Sequence, residues 1–203
     1  MIRAVAFDIG KVLLDFDYGI LVRNMAPRSR LDVLALEQLL DQSPLLAKYE
    51  SGQMNCNEFF LAVGQETGYD GTQEEFAALF ENIFTPIDEV ITMHEQISAS
   101  GLPTYTLSTT NAMAVRHIQH TYPFWARFTG HVLSYEHGSL KPEKEIYEAF
   151  ERVSGFSAGS IAYLDDREEN IGAAKERGGE AVQYSNPQQM LGAFQAWGLP
   201  VKN

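Results

Sequence analysis

The stretch Ile2-Arg3-Ala4-Val5-Ala6-Phe7-Asp8-Ile9-Gly10-Lys11-Val12-Leu13-Leu14-Asp15 decides how the rest of the chain is read. From Ile2 to Phe7 it carries β-branched and aromatic residues without polar alternation, the pattern of a strand buried on both faces. The run stops at Asp8, followed by Gly10. A carboxylate at the C-terminal end of a buried strand stands where open α/β sheets place their ligands. Glycine, lacking Cβ, lets the backbone turn sharply or approach a ligand closely. Asp8 reads equally well as the start of a polar turn, and the residues downstream have to decide.

Beyond Asp15 the pattern changes. From Asp17 to about Phe84 the periodicity is helical and no strand is predicted: Leu31, Leu34, Leu36, Leu39 and Leu40 recur at helical spacing. Asn55-x-x-Glu58 and Thr72-x-x-Glu75 have the form of capping boxes, each leading into an apolar helical pattern. Gly52, Gly68 and Gly71 punctuate the run. Residues 16–85 therefore form an all-helical insert of four or five short helices.

Strands and helices alternate after Pro86. Strands are predicted over 103–108, 130–134, 161–164 and 181–184. Helices are predicted over 87–100, 111–120, 142–153 (with Pro142 in its first turn), 168–177 and 187–197. Such alternation implies βαβ units and a parallel sheet. The expected fold is thus α/β: a Rossmann-like parallel sheet core flanked by helices, built from residues 1–15 and 86–203, with an all-helical cap inserted after the first strand. An insert there lies above the ligand edge of the sheet, where it can act as a lid.

Size and composition fit this layout. The 203 residues suffice for one substantial core with a smaller attached domain. A formal net charge of −12, with no run of Lys and Arg, excludes the electrostatic footprint of a nucleic-acid binder and disfavours anionic membranes. It leaves room for an anionic small substrate, because a metal ion can invert the local potential. The lone Cys56 has no internal disulfide partner, which points to a reducing compartment, and reads as a small buried apolar residue. An acid arrives too early at the N-terminus for a signal peptide, and no apolar run is long enough to span a bilayer, so a cytoplasmic location is expected.

Four strand ends carry unusual polar residues. The first gives Asp8. The second gives Ser108-Thr109-Thr110-Asn111, where hydroxyls beside free helix N-terminal amides suit an anion, although plain N-capping explains them too. The third leads to Lys141, placed to reach a phosphate or, as most lysines do, to carry charge at the surface. The fourth gives Asp165-Asp166, with Asn170 about one helical turn on. Adjacent carboxylates at the end of an apolar strand repel unless a cation or water separates them. Mg²⁺, which commonly takes one or two carboxylates and keeps several waters, answers that need.

In order and placement these residues resemble the haloacid dehalogenase (HAD) superfamily, across essentially the whole chain. Asp8 matches its nucleophile, Ser108 its second-motif hydroxyl, Lys141 its third-motif base and Asp165-Asp166 its metal-binding motif. The helical insert matches its C1 cap. Phe-Asp-Ile-Gly-Lys-Val-Leu-Leu-Asp, Leu-Asp-Asp-Arg-Glu-Glu-Asn-Ile and the cap stretch Tyr49-Glu-Ser-Gly-Gln-Met-Asn are similar to a branch that includes α-D-glucose-1-phosphate phosphatase. The resemblance implies a Mg²⁺-dependent phosphatase that acts on a small phosphorylated metabolite, such as a sugar phosphate, through an aspartyl-phosphate on Asp8. Its metal would be held by Asp8, the Gly10 carbonyl and Asp166, with Asp165 acting through a metal-bound water or a hydrogen bond and Asn170 steadying the pair. Ser108, the Thr109 N–H and Lys141 would hold the phosphoryl oxygens.

One position departs from the pattern. HAD phosphatases usually carry a second Asp two residues after the nucleophile, as general acid and base, and here that residue is Gly10. Either the leaving group needs little protonation, or Asp15, Asp17 or His137 replaces the acid, or the protein mainly binds its ligand. The enzymatic alternative, a metal-independent 2-haloacid dehalogenase, does not need the Asp165-Asp166 pair; a non-catalytic ligand-binding or regulatory protein is the third reading. Lys48, Tyr49, Tyr18 and Arg23 are candidate specificity residues in the cap.

Overall fold

The computed structural model describes residues 1–41, 43–81 and 83–202. In chain order the strands are β1 (Ala4–Phe7), β2 (Leu14–Phe16), β3 (Phe84–Pro86), β4 (Thr104–Ser108), β5 (Gly130–Leu133), β6 (Ile161–Asp165) and β7 (Glu180–Gln183). Five of them form one sheet in the order β5-β4-β1-β6-β7, every neighbouring pair parallel. The chain runs outward through β4 and β5, then recrosses β1 for β6 and β7. This puts β1 at the reversal of strand order, beside the crevice where such sheets bind ligands.

The all-apolar sequence of β1 follows from its central place. Val5 and Phe7 face one layer, packed with Val90, Met93 and Ile97 of α6 (Asp88–Ala99), with α7 (Ala112–Thr121) and with α11 (Pro187–Ala196). Ala4 and Ala6 face the other, covered by α9 (Lys144–Ser154) and α10 (Glu168–Glu176). The small residues on that face let Tyr147, Phe150 and Tyr163 fill the layer. The expected α/β sandwich, helices on both faces of a parallel sheet, is what the structure shows.

Between β2 and β3 lie α1 (Tyr18–Met25), α2 (Val33–Leu40), α3 (Pro44–Glu50), α4 (Cys56–Thr67) and α5 (Gln73–Glu81). Their core gathers Leu36, Leu40, Phe59, Val63, Phe76 and Phe80, all essentially buried. Leu34, read with the leucine stripe, is instead 70% exposed. Both capping boxes form. Asn55 accepts from the Glu58 N–H at 3.0 Å and Glu58 accepts from the Asn55 N–H at 2.8 Å. Thr72 and Glu75 make the same exchange at 3.2 and 2.7 Å.

Three sequence expectations need correction. The insert is not purely helical at its ends: β2 and β3 form an antiparallel ribbon, Asp15 opposite Thr85 and Phe16 opposite Phe84, which straddles both expected boundaries. Three residues per strand are too few for a period-two pattern to show. Pro142, expected in the first turn of a helix, lies before it: α9 begins at Lys144, and the Lys141–Pro142 peptide is cis. The helix α8 (Ser134–His137) that follows β5 also takes Ser134, which the sequence predicts as the end of the strand.

The insert is fastened to the core where α3 ends. The Tyr49 hydroxyl accepts from the Met113 N–H at 3.1 Å, and the Glu50 carbonyl accepts from the Ser134 hydroxyl at 2.6 Å. Gly52 follows with φ +70°, and a Cβ there would run into the Tyr135 carbonyl. Gly52→Ala should therefore lower the unfolding free energy, measured by denaturant titration, by more than the about 1–2 kcal/mol that a left-handed conformation alone costs. A loss below that range would mean that this junction is loose.

Candidate active site

The carboxyl edge of the sheet brings the predicted residues together. Asp8 follows β1, Ser108 ends β4, Asp165 ends β6 and Asp166 comes next; all line a cavity of about 730 Å³ between the sheet edge and the helical insert, except that Asp165 lies beneath it, fully buried. Gly10, Thr109, Lys141 and Asn170 line the same cavity.

Lys141 is the hub. Its loop is held by Glu143, whose carboxylate accepts from the Ser139 hydroxyl at 2.8 Å and the Leu140 N–H at 3.0 Å, and the Lys141 N–H donates to the Thr109 hydroxyl at 3.2 Å. The ammonium reaches Asp165 at 2.6 Å, Asp8 at 2.9 Å and the Leu107 carbonyl at 3.1 Å. Its side chain is 2% exposed, which makes this a buried charge and not a surface lysine. Burial opposes its charge, but Asp8 and Asp165 outweigh that and hold the ammonium above its ordinary range.

The two aspartates it touches behave differently. Burial tends to raise Asp165, but Lys141 holds it below the usual carboxylate range with the Tyr163 hydroxyl and the Arg167 N–H. The Asn170 amide also donates to it, at 2.8 Å. Its oxygens are thus occupied. Among the described residues, Asp8 accepts from the Ile9 N–H at 2.7 Å and pairs with the Lys141 ammonium, with Ser108 favouring its ionised form. Burial pushes it up to about 7, with Lys141 opposing and Asp165 reinforcing the rise. Asp166 is likewise raised, by burial and by Asp165.

Three carboxylates around one ammonium leave an excess of negative charge. Asp8, Asp165 and Asp166 each offer an oxygen within 4.8 Å of the others. Burial is the main cause of the raised pKa values of Asp8 and Asp166, Asp165 adds to both, and a divalent cation would oppose the rise. Two further features fit such an ion. Asn170 Oδ1 is buried without a hydrogen-bond partner among the described residues, an acceptor available to a metal-bound water. Gly10 lines the cavity beside Asp8, in a turn where the Leu14 N–H bonds the Ile9 carbonyl and the Lys11 N–H bonds the Leu14 carbonyl.

Some expected residues lie elsewhere. Asp15 pairs with Lys11 at 2.5 Å and does not line the cavity; neither does His137, at the end of α8. Asp17 does line it, but its carboxylate caps α1 through the Gly19 N–H at 2.7 Å and pairs with Arg23 at 3.2 Å. Of the proposed specificity residues Tyr18 faces the cavity, whereas Lys48, Tyr49 and Arg23 do not. Tyr49 is a buried strut, bonded also to Cys56 at 3.2 Å.

Other contributors went unread. Tyr163 shares a strand face with Asp165, two residues on, which period-two alternation would have revealed. Tyr147 supports Asn170 through its carbonyl at 2.9 Å. Glu50 and Asn111 also line the cavity; Glu50 lay within the quoted stretch Tyr49-Glu-Ser-Gly, but nothing in its neighbours marks it as facing inward.

Among known proteins, no family model matches this chain. The D-ribitol-5-phosphate phosphatase of Bacteroides thetaiotaomicron is 25% identical over 192 residues, 92% of this chain and 93% of that protein. A sesquiterpene phosphatase of Aspergillus oryzae is 24% identical over 179 residues, 87% of this chain and 86% of that one. Among solved structures, a HAD family enzyme from Bacteroides thetaiotaomicron in a magnesium complex superposes with a TM-score of 0.82 at 21% identity, covering 96% of this chain and 98% of the other. With this sheet, and with Asp8, Ser108 and Asp165-Asp166 at its strand ends and Lys141 on the loop after α8, the chain has the fold of haloacid dehalogenase family enzymes.

Proposed function

We propose that this chain is a Mg²⁺-dependent phosphomonoester hydrolase for a small phosphorylated metabolite, a sugar phosphate being the favoured class, with Asp8 as nucleophile. The observation that carries the reading is the cluster of buried Asp8 and Asp165, both paired with the Lys141 ammonium, with the half-buried Asp166 beside them. The two phosphatases to which the chain is similar along most of its length support it. In this reading residues 16–85 are a C1-type cap on the core of residues 1–15 and 86–203, as in the α-D-glucose-1-phosphate phosphatase branch.

Asp8, the Gly10 carbonyl and Asp166 would hold the metal, while Asp165, its oxygens already engaged, orients Lys141 and the residues around it. When bound, Mg²⁺ neutralises charge on the phosphate and on Asp8, which lets one anion approach another. The chain does the rest. Asp8 attacks phosphorus and forms an aspartyl-phosphate, which water then hydrolyses to release phosphate. Ser108, the Thr109 N–H and Lys141 hold the phosphoryl oxygens where charge gathers in the transition state. A metal-independent haloacid dehalogenase has no need of a cation-demanding carboxylate cluster, and no observation here favours it.

The test is phosphate release from p-nitrophenyl phosphate and a panel of sugar and alditol phosphates. Turnover should require Mg²⁺, fall by about a hundredfold or more in EDTA, and return when Mg²⁺ is restored. Indifference to the chelator, or halide release from a 2-haloacid in its presence, would overturn the reading.

A further inference from the structure

The position of the usual acid is not merely vacant in this chain; its space is filled. A Cβ on Gly10 would lie 2.8 Å from Cε1 of Phe16, a β2 residue whose ring also carries the Lys11 ammonium 4.7 Å from its centroid. A side chain at position 10 cannot enter without moving that ring. Protonation of a poor leaving group, if it occurs, has to come from elsewhere in the cavity.

Of the acids that the insert brings there (Asp17, Glu37, Asp41 and Glu50), Glu50 sits where the insert is fastened to the core. It ends α3, and its own carbonyl is held by the Ser134 hydroxyl at 2.6 Å, which in turn bonds the Thr110 N–H at 2.9 Å and the Thr110 carbonyl at 3.0 Å beside Ser108 and Thr109. The preceding Tyr49 is locked to the first turn of α7. The Glu50 side chain lines the cavity that holds Asp8 and is hydrogen-bonded to Asn111. Asn111 caps α7 by accepting from the Ala114 N–H at 3.0 Å, so it is its amide that faces the Glu50 carboxyl. Asp17, by contrast, is consumed by its cap and by Arg23.

We propose that Glu50 is the general acid and base of this active site, a cap residue doing the work of the missing carboxylate at position 10; this rests on the phosphatase reading above. As Asp8 attacks phosphorus and the ester P–O bond breaks, the carboxyl proton of Glu50 passes to the ester oxygen and the alcohol leaves. The resulting Glu50 carboxylate takes a proton from the water that attacks the aspartyl-phosphate. The bond between Asp8 and phosphorus breaks, phosphate is released, and Glu50 is protonated again. Its environment suits both halves of the cycle: burial pushes Glu50 up to about 7, Asn111 opposes the rise, and Asp41 from the end of α2 and Asp8 from the end of β1 reinforce it.

Glu50→Gln, which is isosteric and keeps the contact with Asn111, separates the roles when assayed on two esters of similar shape. p-Nitrophenyl phosphate has a leaving group that departs unaided, whereas benzyl phosphate releases an alkoxide that needs a proton. The variant should lose about 10²- to 10³-fold in kcat/KM on benzyl phosphate and under about 10-fold on p-nitrophenyl phosphate. With benzyl phosphate the wild-type rate should fall as pH rises through about 7, since the acid must be protonated, and the variant should lack that limb. Glu50→Asp, which keeps a carboxylic acid, should recover part of the benzyl phosphate rate. Equal losses on both esters, no loss on either, or an unchanged pH limb in Glu50→Gln would overturn the proposal while leaving the phosphatase reading intact. Wild-type activity that survives Asp8→Asn would instead overturn that reading itself.

Discussion

Asp8→Asn should reduce phosphate release from every monoester by about 10⁴-fold or more, because the amide cannot act as the nucleophile. The substitution is otherwise mild. Asparagine keeps the hydrogen bond from the Ile9 N–H (2.7 Å in the wild type) and resembles the protonated acid. The sign of its effect on stability follows from the pKa. Asp8 rises from an unfolded value near 3.8 to about 7, so the metal-free wild type is most stable below the unfolded value and loses that contribution as pH climbs to about 7. A neutral asparagine does not titrate. The metal-free variant should therefore melt no lower than the wild type above neutral pH, which separates loss of chemistry from loss of fold. Thermal melts of both proteins in EDTA, at acidic and at mildly alkaline pH, check this. A variant that melts well below the wild type at alkaline pH would show that Asp8 is ionised and stabilising in the metal-free protein.

Lys141→Met should have the largest effect on the fold. Removing the ammonium leaves Asp8 and Asp165 buried without a counter-charge, a change that typically costs about 3–5 kcal/mol. Activity should vanish as well, since no cation remains at the phosphoryl oxygens. The pH dependence identifies the cause. Lys141 holds Asp165 below its ordinary pKa, so this contribution is present above the unfolded value near 3.8 and is lost as pH falls through the folded value. The gap between wild type and variant, measured by urea denaturation, should be widest near neutrality and narrow in acid. A gap below about 1 kcal/mol at neutral pH would mean that water reaches the two carboxylates and that Lys141 behaves as a surface pair.

How far these features could be read beforehand depends on the range of the interactions behind them. β1 and β6 announce themselves because buried parallel strands are apolar runs, and a carboxylate that ends such a run stands out. The capping boxes at Asn55 and Thr72 are equally local, settled within four residues. The β2–β3 ribbon pairs Phe16 with Phe84 across the whole insert, and neither three-residue segment carries a pattern of its own. Pro142 was misplaced for a related reason: a proline before a helix reads as its first turn, but contacts of Lys141 with Thr109, Asp8 and Asp165 set the chain there.

The site shows the same divide. Asp8, Ser108 and Asp165-Asp166 are visible because each ends or follows a strand, and Lys141 because it precedes a proline and a helix. The two features that shape the acid chemistry are not. Gly10 is accounted for by Phe16, whose ring lies where a side chain would start, and that contact depends on the turn between β1 and β2. Glu50 is held by Ser134, 84 residues away, and by Asn111. Its position at the cavity follows from how the insert docks on the sheet, a relation between two hydrophobic cores that no local periodicity encodes.

The most direct test of the central claim is to quench the enzyme in acid during turnover of p-nitrophenyl phosphate with Mg²⁺ and map the peptides by mass. The account predicts one phosphoryl group on the peptide that contains Asp8, absent from Asp8→Asn and from samples quenched in EDTA. A phosphoryl group on another residue, or steady turnover in Asp8→Asn, would contradict it.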